Sequence, residues 1–132
     1  MKKNKKNKKN EVVTLKDILK RKEFFENKKN QTKELFVKSL GGNIVISKPD
    51  KELCVECIDM EDSIEGDKYF VYEIVKQPNL QDTGLHEAFD IKVPTDIVDK
   101  IFDAGEISNI AKEGLRFAGY LDSVEVVEDL KN

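Results

Sequence analysis

The sequence has no tryptophan, two cysteines, one histidine and no long apolar run. A membrane-spanning helix needs about 18 or more apolar residues, so we expect no membrane span. The basic N-terminus is not followed by the apolar segment of a secretory signal, which predicts a cytoplasmic protein. The 132 residues can bury one hydrophobic core but not two, so a single domain is expected.

The two cysteines, Cys54 and Cys57, have the C-x-x-C spacing of some zinc and redox sites. A structural zinc site needs four ligands, and His86 is the only other soft ligand in the chain. A thioredoxin-like pair lies at a helix N-terminus after a strand, whereas these cysteines are predicted one turn inside a helix. The pattern therefore predicts reduced core thiols, no metal site and no cofactor.

No arrangement typical of an active site occurs in the sequence. P-loops, nucleophile elbows, glycine-rich dinucleotide turns and clusters of metal ligands are absent. The many carboxylates fall on predicted solvated helix faces at no spacing that selects a pair. The lone His86 is expected at the surface or half-buried. The sequence therefore predicts a protein that is not an enzyme.

Charge is distributed unevenly along the chain. Residues 1–33 contain 13 Lys/Arg and 4 Asp/Glu, whereas residues 34–132 contain 10 and 22. A basic arm therefore precedes an acidic body. Residues 1–13 are expected to form a disordered tail, because the basic run at residues 1–10 has no apolar residue after Met1. The alternative is an arm that contacts nucleic acid or an acidic surface. Any affinity for DNA should then be salt-sensitive and confined to residues 1–10.

Local patterns in the first half predict an α+β fold that is mostly helical, with one N-terminal β-hairpin. An N-capping signature at Thr14 predicts a helix to about Asn27. Residues 32–47 predict the hairpin, because alternating apolar residues flank Gly41-Gly42. Two strands alone are marginal, so the hairpin should lie against the apolar stripe of a helix predicted over residues 49–60.

The most aromatic helix is predicted over residues 67–76, capped by Asp67 and ending before Pro78. It has apolar side chains on more than one face, which is typical of a central core helix or of a helix that keeps one face for a partner. Tyr69 and Phe70 are therefore candidate partner-binding residues. A short helix over residues 85–89 follows.

Two further helices are predicted around a tight corner. Pro94 suits a first helical position, and this helix should stop near Phe102. Asp103 and Glu106 form an acidic capping box that begins the next helix. The second helix has an apolar stripe at helical spacing and a C-terminal glycine, namely Ile107, Ile110, Ala111, Gly114, Leu115, Ala118 and Gly119. Ile101 and Ile110 are predicted to be core residues.

The same two helices allow a different interpretation, a DNA-binding helix-turn-helix. The second helix argues against it, because Glu106 and Glu113 offset Lys112 and Arg116. An acidic recognition helix meets phosphate unfavourably. Binding to nucleic acid is therefore the less favoured function.

The run LHEAFDIKVPTDIVDKIFDAGEISNIAKEGL at residues 85–115 resembles the C-terminal half of the XkdN-like phage tail assembly chaperones. In that family a short LHE helix precedes a P-x-D-[IV]-V-D-K-[LI]-F segment and an E-I-x-x-I helix. The earlier helix, hairpin and Pro-led helix occur in the same order. The resemblance implies a chaperone domain over residues 14–120, between the basic tail and an acidic C-terminal tail of residues 121–132.

The resemblance also implies a function in phage or phage-tail-like particle assembly. Such proteins are thought to bind the tape measure protein in the host cytoplasm, shield its apolar helices and be absent from the finished tail. Many weakly bound copies along one repetitive client would gain avidity. Self-association is a further predicted interaction.

The acidic C-terminal tail adds a second set of candidates. Val124, Val126 and Val127 are predicted partner-binding residues, because an extended segment can add to the edge of a hairpin or of a partner's sheet. In tail chaperone families a ribosomal frameshift near the stop codon often gives a longer product. The closing Lys131-Asn132 permits such a slippery codon pair. The longer form would contact the tail tube protein.

Overall fold

The computed structural model describes residues 11–127, and these divide into two compact units. Lys29–Ser123 form the larger unit, which holds the sheet and the hydrophobic core. The smaller unit contains the N-terminal helices. A mixed α+β architecture, mostly helical, confirms the predicted fold class. The predictions for residues 1–10 and 128–132 lie outside the described residues.

The N-terminal segment forms two short helices, α1 (Leu15–Lys20) and α2 (Lys22–Glu26). The predicted N-cap at Thr14 is confirmed, and it forms a capping box, since Thr14 and Asp17 bond reciprocally through side chain and backbone. The prediction of one continuous helix is wrong, because Arg21 has non-helical dihedral angles. Neither helix buries a residue, so tertiary packing does not favour a continuous helix over two marginal ones.

The larger unit contains a three-stranded antiparallel sheet in the order β1-β2-β3. The strands are β1 (Thr32–Val37), β2 (Gly42–Ser47) and β3 (Val75–Gln77). The first two form the predicted hairpin, with Gly41 at a positive φ of 64° in its turn. The strongest contacts of the hairpin outside itself are with β3, not with the predicted helix over residues 49–60.

Strand β3 replaces the end of a predicted helix. The sequence predicts helix through Lys76, but Val75 is extended, at φ −75° and ψ 118°. Val75 lies opposite Ile46 on β2. Pairing with the open side of β2 therefore overrides local helix propensity at this β-branched residue.

Two helices precede β3, namely α3 (Lys51–Ile58) and α4 (Ser63–Ile74). The predicted start of the second at Asp67 is wrong. The Asp62 side chain accepts hydrogen bonds from the N–H groups of Ile64 and Glu65, so α4 begins one turn earlier. Helix α4 is the central element, because it packs against α3, β3 and the helices that follow.

The second half of the unit contains α5 (Thr83–Ala88), a 3-10 turn (Pro94–Asp96), α6 (Ile97–Ile101) and α7 (Ala104–Phe117). The predicted capping box at Asp103 and Glu106 is confirmed. Gly119 has the expected left-handed conformation, with φ 96°. Ile110 is buried as predicted, whereas Ile101 is only half-buried at the edge of the core.

The core forms where α4 meets α7 and the sheet. Gly114 lets these helices approach closely, since an added Cβ would lie 2.7 Å from Ile74 Cδ1 and 2.8 Å from Phe70 Cε2. The fully buried side chains are Ile44, Ile46, Cys54, Phe70, Val71, Ile74, Leu80, Ile97 and Val98. Residues from both halves of the chain therefore build one core.

Candidate partner-binding surface

Residues 50–67, the α3–α4 corner, carry exposed apolar side chains. Asp50 and Asp62 cap the two helices and fix where each begins. Cys54 is the residue of α3 that is fully buried, so Val55 and Ile58 are left on the outer side. Ile64 lies in the first turn of α4 and is also exposed.

The α3–α4 corner is strongly acidic. Lys51 is its one basic residue, against Asp50, Glu52, Glu56, Asp59, Glu61, Asp62, Glu65 and Asp67. Two of these carboxylates act as helix caps, and Glu65 lies 3.4 Å from Lys68 Nζ. The others give the corner a negative potential, which attracts positively charged partners.

The two helices of the corner approach each other at Gly66. An ideal Cβ built there would lie 3.0 Å from the Cys57 carbonyl oxygen and 3.6 Å from Met60 Cβ. A cavity of about 140 Å³ opens beside them, lined by Cys57, Ile58, Met60, Ser63, Asp67, Phe70 and Leu115. The pKa of Asp67 at this cavity is raised, because the effect of burial exceeds the opposing effect of nearby Lys112. The opening is small and mostly apolar, and nothing about it suggests a catalytic pocket.

The sequence-predicted partner-binding residues fall in different environments. Tyr69 is half-buried near the corner, and its hydroxyl donates to Glu56 Oε1 at 3.5 Å. Phe70 is only 2% exposed and packs in the core against Gly114, so it offers no surface in the folded protein. Val124, Val126 and Val127 are exposed, and residues 121–127 form no strand. Partner contact by these residues stays a prediction.

The comparisons with known proteins identify the family. The model of the family described as "Phage XkdN-like tail assembly chaperone protein, TAC" matches residues 1–131. The chain belongs to this family. No curated protein and no solved structure matched the chain. Membership makes the chain a non-enzymatic assembly chaperone whose partners are tail proteins, as predicted, and favours this function over the helix-turn-helix alternative.

One ion cluster of the chaperone was not predicted from the sequence. Lys68 on α4 is 8% exposed, and its Nζ donates to Asp96 Oδ1 at 2.8 Å and to Asp99 Oδ2 at 2.9 Å. These partners lie 28 and 31 residues away in the chain, so no local pattern reveals the cluster. It ties α4 to the 3-10 turn and α6. We expect a structural role for it, because the Lys68 ammonium group lies within 4 Å of three carboxylates, those of Glu65, Asp96 and Asp99.

The thiols and the histidine of the chaperone are placed for packing. Cys54 is buried, as predicted for a core thiol, and Cys57 is half-buried; both are free. Burial and the nearby Glu56 carboxylate raise the pKa of Cys57 to about 12. His86 is half-buried and its Nε2 lies 2.7 Å from the Leu80 carbonyl oxygen. Among residues 11–127, no three His, Cys, Asp or Glu side chains gather as metal ligands.

The longest described helix of the chaperone, α7, has 14 residues. No helix within the described part of the chain is both long enough and apolar enough to cross a membrane.

Proposed function

We propose that this chaperone binds the tape measure protein in the host cytoplasm, shields its apolar helices during tube assembly and is absent from the finished tail. The observation that carries this proposal is the pairing of exposed apolar side chains with a dense acidic rim on the α3–α4 corner. Ile58 is 54% and Ile64 is 74% exposed. Family membership supports a tail protein as the partner.

The chemistry of the corner suits reversible shielding. Apolar residues of a client helix gain by covering Val55, Ile58 and Ile64, because contact removes apolar area from water on both partners. The carboxylates favour helices that carry Lys or Arg beside their apolar face. Like charge on successive copies keeps coated clients apart. The corner therefore binds a client without promoting aggregation of the complexes.

The small apolar area favours weak binding by each copy. A patch of three side chains is far below the interface size of stable complexes. Several copies on one repetitive client gain avidity, and each copy still dissociates quickly. A polymerising tube subunit can then replace the copies one at a time.

Capture of the client from co-expressing cells tests the proposal. Tagged chaperone should retain the tape measure protein, and Ile58→Asp should retain about tenfold less, as for loss of a central contact. Val93→Asp is the matched control, because Val93 is 55% exposed but lies outside the corner. Both variants should melt like the unmodified protein. If the unmodified chaperone captured no tape measure protein, the proposed function would be rejected. Equal capture by both variants would reject the α3–α4 corner as the binding site.

The remaining parts of the proposal concern the finished tail and the gene product. Mass spectrometry of purified tails should detect tube and tape measure peptides but none from this chain.

A frameshifted longer form is proposed to contact the tail tube protein, and infected cells should then contain a peptide that extends beyond Asn132. Self-association is tested by sedimentation of the purified protein, with Ile58→Asp as the comparison.

A further inference from the structure

Strand β1 has one hydrogen-bonded side and one open side. It lies at the edge of the sheet and pairs only with β2 among the described strands. The Lys48 N–H donates to the Gln31 carbonyl at 3.0 Å, which makes these residues a hydrogen-bonded pair in the hairpin register. Such pairs recur every second residue. The N–H and C=O groups of Glu34 and Phe36 therefore point to the open edge.

These outward groups have no partner elsewhere in the described chain. The Ser39 N–H, beyond the end of β1, is occupied by Glu106 Oε2 at 3.2 Å. No backbone or side-chain bond between residues 11 and 127 uses the N–H or C=O of Glu34 or Phe36. An unpaired edge of this kind is a template for an added strand.

A groove lies directly beside this edge. Its volume is about 460 Å³, and it is lined by residues 35–38 together with Glu106, Asn109, Ile110 and Glu113 of α7. Side chains of consecutive strand residues alternate between faces, so a cavity lined by four in a row borders the edge itself. The groove therefore has room where an added strand would lie.

Helix α7 forms the other wall of the groove and runs antiparallel to β1. At one end the Ser39 hydroxyl donates to Glu106 Oε1 at 2.8 Å. At the other end Lys33 Nζ lies 5.0 Å from the centre of the Phe117 ring. These contacts hold the two walls in place before any ligand arrives, which reduces the entropy cost of binding.

The lining of the groove specifies the occupant. Phe36 is 63% exposed, and Leu35 and Ile110 supply further apolar surface. Two carboxylates, Glu106 and Glu113, and one lysine, Lys38, line the groove. Glu113 also pairs with Arg116 at 2.7 Å, and Glu106 also accepts hydrogen bonds from Ser39 and Asp103. The unpaired backbone favours an extended peptide, the apolar surface favours apolar residues at alternate positions, and the excess of carboxylates over lysine in the lining favours cations between them.

We propose that β1 accepts, as a fourth strand, an extended segment of a partner protein in which apolar residues alternate with Lys or Arg. This site is distinct from the α3–α4 corner and takes a strand, not a helix. An acidic segment such as residues 124–127, with Glu125 between valines, has the wrong charge for the groove. The proposal does not depend on the identity of the tape measure protein as client.

Hydrogen exchange with two synthetic peptides tests the proposal on the full chain. The probe is a seven-residue peptide of alternating valine and lysine, and its matched control replaces each lysine with glutamate. The lysine peptide should slow exchange of the Glu34 and Phe36 amides, whereas the Leu35 and Val37 amides, already bonded to β2, should change little. The glutamate peptide should bind about tenfold more weakly or not at all.

Two substitutions at Phe36 distinguish the contribution of its backbone N–H to peptide affinity from that of its side chain. Phe36→Pro removes an N–H that the sheet does not use, so the hairpin should persist but the peptide should bind about tenfold more weakly. Phe36→Ala keeps that N–H and should lose less affinity. A proline variant that melts normally and binds the peptide as tightly as the unmodified protein would overturn the proposal.

The exchange pattern of the unmodified protein shows whether the peptide binds at the β1 edge, without the need for any variant. Saturating lysine peptide without new protection at Glu34 and Phe36 would show binding elsewhere and reject the site. Protection that rises with protein concentration in the absence of peptide would assign the edge to a second copy of this chain, and would also reject the proposed occupant. Equal affinity for both peptides would reject the charge argument.

Discussion

Lys68 Nζ lies 2.8 Å from Asp96 Oδ1, and this contact joins the central helix α4 to the turn that begins α6. Asp99 binds the same ammonium group at 2.9 Å. The lysine is 8% exposed, yet both carboxylates remain about half-exposed. The cluster thus compensates a desolvated cation with anions that stay partly hydrated, which lowers the cost of burying it.

Replacing Lys68 with Met should destabilise the protein by about 1.5–3 kcal/mol, the range for hydrogen bonds to charged groups. Lys92→Met is the control, because Lys92 pairs with Asp90 on the surface and should change stability by about 0.5 kcal/mol or less. Urea unfolding at pH 7 measures both. Equal effects of the two substitutions would contradict a structural role for the cluster.

The cluster also predicts how stability depends on pH. Hydrogen bonds to Asp96 and then Asp99 raise the pKa of Lys68 above its ordinary 10.5, against the opposing effect of burial. A cation with a raised folded pKa stabilises the fold fully below its unfolded pKa, and this stability is lost as pH rises through the folded value. The unfolding midpoint should therefore fall above about pH 10.5, and this component of the fall should vanish in Lys68→Met.

Gly114→Ala should destabilise the core by about 1–3 kcal/mol through overpacking. The added methyl group would lie within 3 Å of both Ile74 and Phe70. Gly105→Ala on the same helix is the matched control, because nothing lies within 4 Å of its position. The control should leave the melting temperature unchanged or raise it. A neutral Gly114→Ala would show that α4 and α7 can separate without cost.

Ile110→Ala should cost about 2–5 kcal/mol, as for other large-to-small core substitutions. Ile101→Ala should cost less, because Ile101 is half-buried and its side chain already contacts water. Guanidinium unfolding of both variants measures the difference. A larger loss for Ile101 would mean that its face is covered, and client binding by that variant would then be the next measurement.

Cys54 and Cys57 should resist alkylation in the folded protein at pH 8. Burial and then Glu56 raise the pKa of Cys57 to about 12, and burial and then Asp50 raise that of Cys54, so little reactive thiolate is present. Mass spectrometry after iodoacetamide should find both thiols unmodified until denaturant is added. Rapid labelling of Cys57 alone would indicate that the α3–α4 corner opens.

The sequence by itself determined the local structure wherever short-range chemistry decides it. The Thr14 N-cap, the Asp103 capping box, the Gly41 turn and the stripe of α7 were predicted because each depends on residues a few positions apart. Family membership was likewise readable from residues 85–115, since the chain carries the motif as a continuous run. A single hydrophobic core was expected from the length of the chain.

Only the tertiary structure decided the features that depend on distant residues. Val75 is extended and not helical because it pairs with the open edge of β2. Lys68 is buried because Asp96 and Asp99 pack against α4 and bind its ammonium group. The sequence left Phe70 between the core and a partner, whereas the fold packs it beside Gly114 of α7. The groove beside β1 likewise exists only because α7 returns to that edge. Burial and strand pairing depend on the whole fold, whereas caps and turns depend on the residues beside them.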